Sequence, residues 1–151
     1  MTTDVILVLS VLLSGLLAGN ELATLIAFHP ALRRIPLRSQ VEAERALTRR
    51  LGLIMPGYMT AALAAAVAAA VALAGDTGFG FALSAAVALG AMLAITLTRN
   101  LPLNKRTVEF PPDGDEPDWS AIRRPWERLH ALRVALDLAA FACLAVALPA
   151  R

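Results

Sequence analysis

Four long apolar segments alternate with charged segments along the chain. They run from about Val5 to Phe28, from about Leu53 to Ala74, from about Phe79 to Thr98, and from about Leu129 to Leu148. A transmembrane α-helix needs about 20 consecutive, mostly apolar residues, and each segment has about that length. The pattern therefore predicts an all-α fold in which residues 1–151 form a single domain, an integral membrane four-helix bundle.

The basic residues lie in two blocks, and their placement predicts how the bundle is oriented. Of the 14 Lys and Arg residues, six lie between residues 29 and 52, and seven lie between Arg99 and Arg133. The connection at residues 75–78 contains none. Because Lys and Arg concentrate in cytoplasmic loops, the loops at about 29–52 and 99–128 are predicted to be cytoplasmic, and both termini to lie outside. The expected location is an inner or plasma membrane, with membrane lipid as a partner.

Composition agrees with a membrane protein and argues against several other classes. Apolar residues make up 58% of the chain and charged residues 17%, against about 45–50% and about 25% in typical globular domains. The formal net charge of +2 does not indicate a nucleic-acid partner, since membrane topology explains both basic blocks. The single cysteine, Cys143, allows no intrachain disulfide. Motifs for phosphate-binding loops, serine nucleophiles and HExxH zinc sites are absent from the sequence.

Three side chains of the Asp, Glu, Lys and Arg type fall inside the predicted spans: Glu21, Arg133 and Asp137. Such a group costs about 2.5–3.5 kcal/mol in a bilayer on insertion scales, so it usually faces a partner or a cavity. At about 1.5 Å of rise per residue, Glu21 and Asp137 lie roughly 10 and roughly 12 Å from the predicted cytoplasmic ends of their helices. The first and last helices are therefore predicted to bring these groups together, as the deeper layer of a polar pocket in the cytoplasmic half of the bundle.

The fourth segment carries polar and aromatic residues at helical spacing. Trp126, His130, Arg133 and Asp137 are separated by 4, 3 and 4 positions, which places them on one face of a helix. Such a face should point into the bundle rather than at lipid. The predicted shallower layer of the pocket consists of side chains near the cytoplasmic helix ends: His29, Arg99, Asn100, Asn104, Trp126 and His130.

The same residues also fit a structural interpretation. Arg133 and Asp137 form an i, i+4 pair that could simply neutralise both charges. Arg99 could extend to the headgroup layer without any other role. Each histidine alone could be an interfacial residue, yet His29 and His130 are the only two in the chain, and both are expected at one level beside a buried carboxylate. That coincidence favours a functional pocket.

Two kinds of chemistry are compatible with this pocket. Glu21, His29 and His130 resemble in type a set of two histidines and one carboxylate that holds a transition metal. Without a metal, a buried carboxylate beside a histidine can act as a general base. From the residues alone, a metal cofactor and no cofactor both stay open.

Five short motifs are spread over the chain from the first helix to the fourth. They are Gly15-Leu-Leu-Ala-Gly19-Asn20-Glu21, Phe28-His29-Pro30-Ala31-Leu32, Gly52-Leu-Ile-Met55-Pro56, Pro102-Leu103-Asn104 and Trp126-Glu127-Arg128-Leu129-His130-Ala131-Leu132-Arg133. Together they resemble the DUF1772 family, which is also called the anthrone oxygenase family. The Pro-Leu-Asn and Trp-x-x-x-His-x-x-Arg elements are the most specific parts of the resemblance.

The resemblance implies a four-helix membrane enzyme that uses molecular oxygen to oxidise a small hydrophobic aromatic substrate, an anthrone, to an anthraquinone. In the mechanism that it implies, Glu21 or His130 removes a proton from the substrate, and Arg133 or Asn104 stabilises the enolate oxygen. Trp126 is expected to stack on the flat substrate. The expected catalytic residues are Glu21, Asn104, His130 and Arg133, and the expected substrate-binding residues are Arg99, Asn100, Trp126 and Asp137.

Two other functions remain open at the level of the sequence. The polar cluster of a non-enzymatic assembly or interaction protein would serve only to hold the bundle together. A small transporter could use Glu21 and Asp137, but four helices are few for that task, so it would have to be an oligomer. The alanine-rich second segment is suited to close helix packing, either in the bundle centre or at a contact in a homo-oligomer.

Overall fold

Four long helices form almost the whole chain in the computed structural model, which describes residues 2–150. They are α1 (Thr2–Leu32), α2 (Leu37–Ala72), α3 (Phe79–Glu109) and α4 (Glu116–Ala147). Each is long and apolar enough to cross a membrane, and no strand occurs among the described residues. The predicted all-α class and its four membrane helices are confirmed.

The helices extend well past the predicted spans on one side of the bundle. α2 begins at Leu37 rather than near Leu53, and α4 begins at Glu116 rather than near Leu129. Hydropathy marks only the part of a helix that lies in lipid, whereas Glu, Arg and Lys outside it remain good helix formers. The long loops expected around these starts therefore shrink to the connections 33–36 and 110–115.

The helices are arranged as a ring in chain order. Each packs against the helix before and after it, and α4 closes the ring by packing on α1. Short connections make consecutive helices antiparallel. In the turn between α2 and α3, Gly75 has a φ of 96°, a left-handed conformation that glycine adopts without a steric penalty. We refer to the opposite end, which holds the connections 33–36 and 110–115, as the basic end.

The core between the helices is built largely from small apolar side chains. Fully buried alanines come from α2, α3 and α4: Ala62, Ala66, Ala69, Ala82, Ala85 and Ala140. Small residues let helix backbones approach closely. On α1, the hydroxyl of Ser10 donates to the backbone carbonyl of Ala65 on α2 at 2.8 Å. The small-residue face of α2 thus lies at the centre of the bundle.

Both α1 and α3 contain one wide π-helical turn just before a proline. The turns span Thr24–Phe28, before Pro30, and Thr96–Asn100, before Pro102. Proline has no N–H to donate and its ring collides with the preceding turn of a regular α-helix, so a widened turn lets the helix continue. A wide turn holds more residues than a regular one, so it rotates the side chains that follow it about the helix axis. Near the basic end, these two turns therefore affect which side chains point inward.

α1 packs tightly against α4 at Gly15, and this contact supports a test of the packing. A Cβ atom at Gly15 would lie 2.8 Å from the ring of Phe141, whereas a Cβ at Gly19 would have no neighbour within 4 Å. We expect Gly15→Val to lower the free energy of unfolding by about 1–3 kcal/mol through overpacking. Gly19→Val, the matched control, should unfold like the wild type in the same detergent. Equal stability of the two variants would contradict this packing.

Candidate active site

The first buried polar cluster joins α1 to α4 and consists of Arg133, Glu21 and His130, here called the first triad. The guanidinium of Arg133 donates through Nη2 to Oε1 of Glu21 at 2.6 Å. The other carboxylate oxygen, Oε2, lies 3.2 Å from Nδ1 of His130, a close contact that is not a well-aligned hydrogen bond. All three residues are at most 6% exposed. The structure therefore brings together the carboxylate of the first helix and the basic groups of the last.

The position of the first triad follows from the face that α4 presents to the bundle. Trp126, His130, Arg133 and Asp137 are all buried, as expected for side chains spaced along one side of a helix. Glu21 follows Ser14 and Leu17 on the inward face of α1, and both of these are also buried. Two inward faces therefore meet at the triad.

A second buried cluster lies nearer the basic end and joins α1, α2 and α4. It consists of Arg123, Glu44 and His29, here called the second triad. Nδ1 of His29 lies 2.8 Å from Oε1 of Glu44, and Nη2 of Arg123 lies 3.1 Å from Oε2 of the same carboxylate. All three residues are at most 5% exposed. A complete Arg–Glu–His set therefore exists twice in one small bundle.

The hydrogen bonds of the second triad fix the tautomer of neutral His29. A carboxylate can only accept, so Nδ1 of His29 must donate to Glu44. Nη2 of Arg123 is also 3.1 Å from Nδ1 of His29, but both of these atoms are donors, so the guanidinium bonds to Glu44. The remaining ring nitrogen of His29, Nε2, is then an acceptor, and no partner for it occurs among the described residues.

Trp126 lies between the two triads. Its ring stacks on His130 at a centroid distance of 4.8 Å and meets His29 edge-on at 4.7 Å. The guanidinium carbon of Arg123 lies 4.2 Å from its ring centroid, in the range of a cation–π contact. Arg123 and His130 lie one turn before and one turn after Trp126 on α4. Trp126 thus contacts both triads, and the expected stacking of its ring on a substrate stays a prediction.

Both triads border one cavity of about 240 Å³. Its polar lining comes largely from residues expected at the site: Glu21, His29, Asn104, Trp126, His130 and Arg133. Much of its apolar lining comes from α2: Leu47, Leu51, Met55, Pro56 and Met59. Among the lining residues, Asn20, Phe28, Leu47, Gly52 and Leu101 are exposed. Four of these five lie on α1 and α2, so the exposed side of the cavity is formed mainly by these two helices, with a contribution from α3.

Asn104 reaches the cavity because the helix continues beyond the wide turn of α3. Its side-chain oxygen accepts a hydrogen bond of 2.6 Å from the indole nitrogen of Trp126. This bond fixes the orientation of the amide, so its Nδ2 group is left as a donor at the edge of the cavity.

Three of the expected substrate-binding residues do not line the cavity. Arg99 is exposed, whereas its neighbour Asn100 in the wide turn of α3 is buried, so the side chain of Arg99 points away from the bundle interior. Asn100 and Asp137 are both 0% exposed and belong to the interior. Their side-chain oxygen and nitrogen atoms have no hydrogen-bond partner among the described residues, but neither side chain borders the cavity.

The expected metal ligands do not converge in this arrangement. Within residues 2–150, no group of three or more His, Cys, Asp or Glu side chains is placed to hold a metal ion. His29 pairs with Glu44, while Glu21 is engaged by Arg133 and His130. The donors therefore do not fit a metal bound by Glu21, His29 and His130.

Two residues of the second triad, Glu44 and Arg123, were not expected at the site. Glu44 lies outside the apolar segments in a stretch rich in arginine, where a glutamate usually belongs to a solvated surface. Arg123 precedes Trp126 by three positions, so it extends the inward face of α4 by one more turn. Extending the same helical spacing beyond the apolar segment would therefore have predicted Arg123 as an inward residue. Nothing comparable in the local sequence marks Glu44.

A family model described as anthrone oxygenase matches residues 44–143 of the chain, about two thirds of its length. The matched part includes Glu44, Asn104 and the inward polar residues of α4 from Arg123 to Asp137, whereas Glu21 and His29 precede it. No curated protein and no solved structure gives a significant match.

The bond between Arg133 and Glu21 generates a prediction about stability. Removing one member of a buried ion pair typically costs about 3–5 kcal/mol, because the other charge is left uncompensated. We therefore expect Glu21→Gln to lower the free energy of unfolding by about that amount, measured by equilibrium unfolding in mixed micelles. The double variant Glu21→Gln/Arg133→Gln should lose less than the sum of the two single variants.

The matched control uses an exposed pair on α2. Arg38 and Glu42 are 3.4 Å apart with largely exposed side chains, and such surface pairs contribute little. Glu42→Gln should therefore unfold like the wild type. Additive losses in the Glu21 and Arg133 variants would contradict a direct interaction between the two buried charges.

Proposed function

Because the chain belongs to the anthrone oxygenase family, we propose that it is a membrane-embedded oxygenase for a small hydrophobic aromatic substrate of the anthrone type. The observation that carries the proposal is the cavity of about 240 Å³, which combines apolar side chains of α2 with the Arg133–Glu21–His130 triad. Ligand sites generally have this composition, with mostly apolar walls and a few polar groups that orient the ligand.

His130 is the general base in this proposal. One oxygen of Glu21 accepts from Arg133 and the other lies 3.2 Å from Nδ1 of His130, so the carboxylate serves to orient the imidazole and to stabilise the charged form that follows proton uptake. Nε2 of His130 has no hydrogen-bond partner among the described residues. It is therefore the nitrogen that accepts a proton from the acidic CH₂ group of the substrate.

Asn104 stabilises the enolate that proton removal creates. The electron pair of the broken C–H bond moves into the ring system and places negative charge on the substrate carbonyl oxygen. Nδ2 of Asn104, oriented by the bond from Trp126 to Oδ1, donates to that oxygen. A fixed donor aimed at developing charge is effective in a site that excludes water.

The carbanion then reacts with molecular oxygen, which is the oxidant. A C–O bond forms at the deprotonated carbon, and the CH₂ group finally becomes a second carbonyl group. One oxygen atom of O₂ stays in the quinone and the other leaves as water, so the reaction balances without a further reductant.

Entry of the substrate from the bilayer agrees with the position of the cavity mouth. The exposed lining residues include the apolar Phe28 of α1 and Leu101 of α3, and the highly exposed Leu53 and Ile54 follow the lining residue Gly52 on α2. In a membrane such residues contact lipid. A hydrophobic substrate dissolved in the bilayer would then reach the cavity sideways, and the positive-inside rule puts the basic end and its cavity on the cytoplasmic side.

Activity is tested with the full chain in lipid nanodiscs supplied with an anthrone. We expect stoichiometric oxygen uptake and quinone formation by the wild type, and a loss of about 10²-fold or more in kcat for His130→Gln, since the general base is gone. Oxygen uptake is followed with an electrode and the quinone by its absorbance.

The control for activity is Glu42→Gln, an exposed substitution that should turn over like the wild type. Wild-type oxygen uptake no faster than that of the His130→Gln variant would remove the enzymatic proposal. A stable bundle without turnover would instead favour an assembly or interaction protein.

The proposed orientation is tested with single cysteines in a Cys143→Ala background. Asp76 lies in the turn between α2 and α3, Asp113 lies in the connection between α3 and α4, and both are exposed. In intact cells we expect a membrane-impermeant maleimide to label Asp76→Cys and to leave Asp113→Cys unlabelled until the membrane is permeabilised. The reverse pattern would overturn the assignment of the basic end to the cytoplasm.

A further inference from the structure

The second triad has no part in proton removal by His130, yet it is built like the first. In each triad a buried glutamate lies beside Nδ1 of a histidine, at 2.8 Å for His29 and 3.2 Å for His130. In each, an arginine donates to the same glutamate, at 3.1 Å for Arg123 and 2.6 Å for Arg133. A carboxylate that accepts a hydrogen bond from Nδ1 leaves the basic lone pair of a neutral imidazole at Nε2. This hydrogen bond is formed at His29, whereas at His130 the carboxylate lies close to Nδ1 without the alignment of a hydrogen bond.

The imidazoles of both triads also face the same cavity. His29 and His130 line one cavity, their ring centroids are 5.7 Å apart, and both contact the ring of Trp126. Nε2 of each is buried and has no hydrogen-bond partner in the described part of the chain. A histidine with only a structural role would be expected to use both nitrogens, because unpaired buried polar atoms are costly.

The proposed reaction needs two separate proton removals from one carbon. The CH₂ group loses its first proton before oxygen adds, and it loses the second when the new carbonyl group forms. During the first half, the proton taken by one base is returned to the peroxide oxygen. A second base on the other side of the substrate would remove the second proton without requiring the bound molecule to flip within the cavity.

On this basis we propose that His29 is a second catalytic base, and that it converts a hydroperoxide intermediate into the quinone. The inference rests on the proposed oxygenase function and extends it to this step. Glu44 and Arg123 are positioning residues that hold the imidazole of His29. Neither glutamate contacts the substrate in this assignment.

Each step is balanced in atoms and electrons. His130 takes the first proton, and the resulting carbanion is oxidised by O₂ as a C–O bond forms. The distal oxygen takes the proton back from His130, which gives a neutral hydroperoxide. His29 then removes the remaining hydrogen of that carbon as a proton. The electron pair of the C–H bond forms the C=O bond, the O–O bond breaks, and the departing hydroxide takes the proton from His29 to leave as water.

The test compares oxygen uptake with quinone formation in His29→Asn. The amide of asparagine can still donate to Glu44, so the buried Glu44–Arg123 pair stays satisfied, but the basic Nε2 atom is lost. We expect oxygen uptake within about threefold of the wild type and quinone formation slower by about 10²-fold. A hydroperoxide, detected by mass spectrometry of the quenched mixture, should accumulate in proportion to the difference.

Two further variants make the outcome decisive. His29→Gln lacks a base as well and should show the same gap between oxygen uptake and quinone, so a folding defect in one variant does not end the test. His130→Gln should lose oxygen uptake and quinone together, whereas Glu42→Gln should change neither.

The possible failures are distinguishable. If both His29 variants form one quinone per O₂ consumed, whatever the speed of the reaction, His29 is not a second base. The oxygenase proposal would then still stand. If the wild type consumes no oxygen with an anthrone, the oxygenase proposal fails, and the role of His29 fails with it.

Discussion

The bond between Arg133 and Glu21 connects the first helix to the last, and the geometry of the site depends on it. A guanidinium and a carboxylate remain charged in an apolar bundle only where each compensates the other. Their 2.6 Å contact fixes one oxygen of Glu21 and thereby leaves the other beside His130. Because the two partners are far apart in the chain, this contact also joins the open ends of the helix ring. The structural and the chemical roles of the pair cannot be separated.

The second triad and Trp126 extend this arrangement towards the basic end. Arg123, Glu44 and His29 come from three different helices, and Trp126 contacts both triads. Electrostatic interactions are stronger in a medium of low dielectric constant than in water. A membrane bundle therefore concentrates its polar groups on the inside, where few fixed dipoles have a large effect. The outward faces of the same helices remain apolar because they contact lipid.

Particular residues show how far the site can be predicted. Glu21 and Arg133 were expected to meet, because counting residues from the predicted helix ends gives their depth. Glu44 was not, since neither hydropathy nor spacing distinguishes it from a surface glutamate. Arg99 was expected in the pocket, but its side chain is exposed whereas that of its neighbour Asn100 is buried, so α3 directs Asn100 rather than Arg99 inward at this turn. The depth of a residue in the membrane follows from counting residues along its helix, whereas the direction of its side chain depends on the local helix geometry.

The sequence by itself determined the number of membrane helices, the all-α class, the inward face of α4 and the family. The membrane helices could be predicted because lipid requires each span, independently of the others, to be about 20 residues long and mostly apolar. The hydrophobic pattern of the chain records this requirement directly. Only the tertiary structure decided that Glu44 and Arg123 complete a second triad with His29, that Trp126 contacts both histidines, and that the exposed side of the cavity lies mainly on α1 and α2. These features depend on how four helices rotate against one another. That rotation is set by packing and by the wide turns before Pro30 and Pro102, which a one-dimensional pattern does not specify.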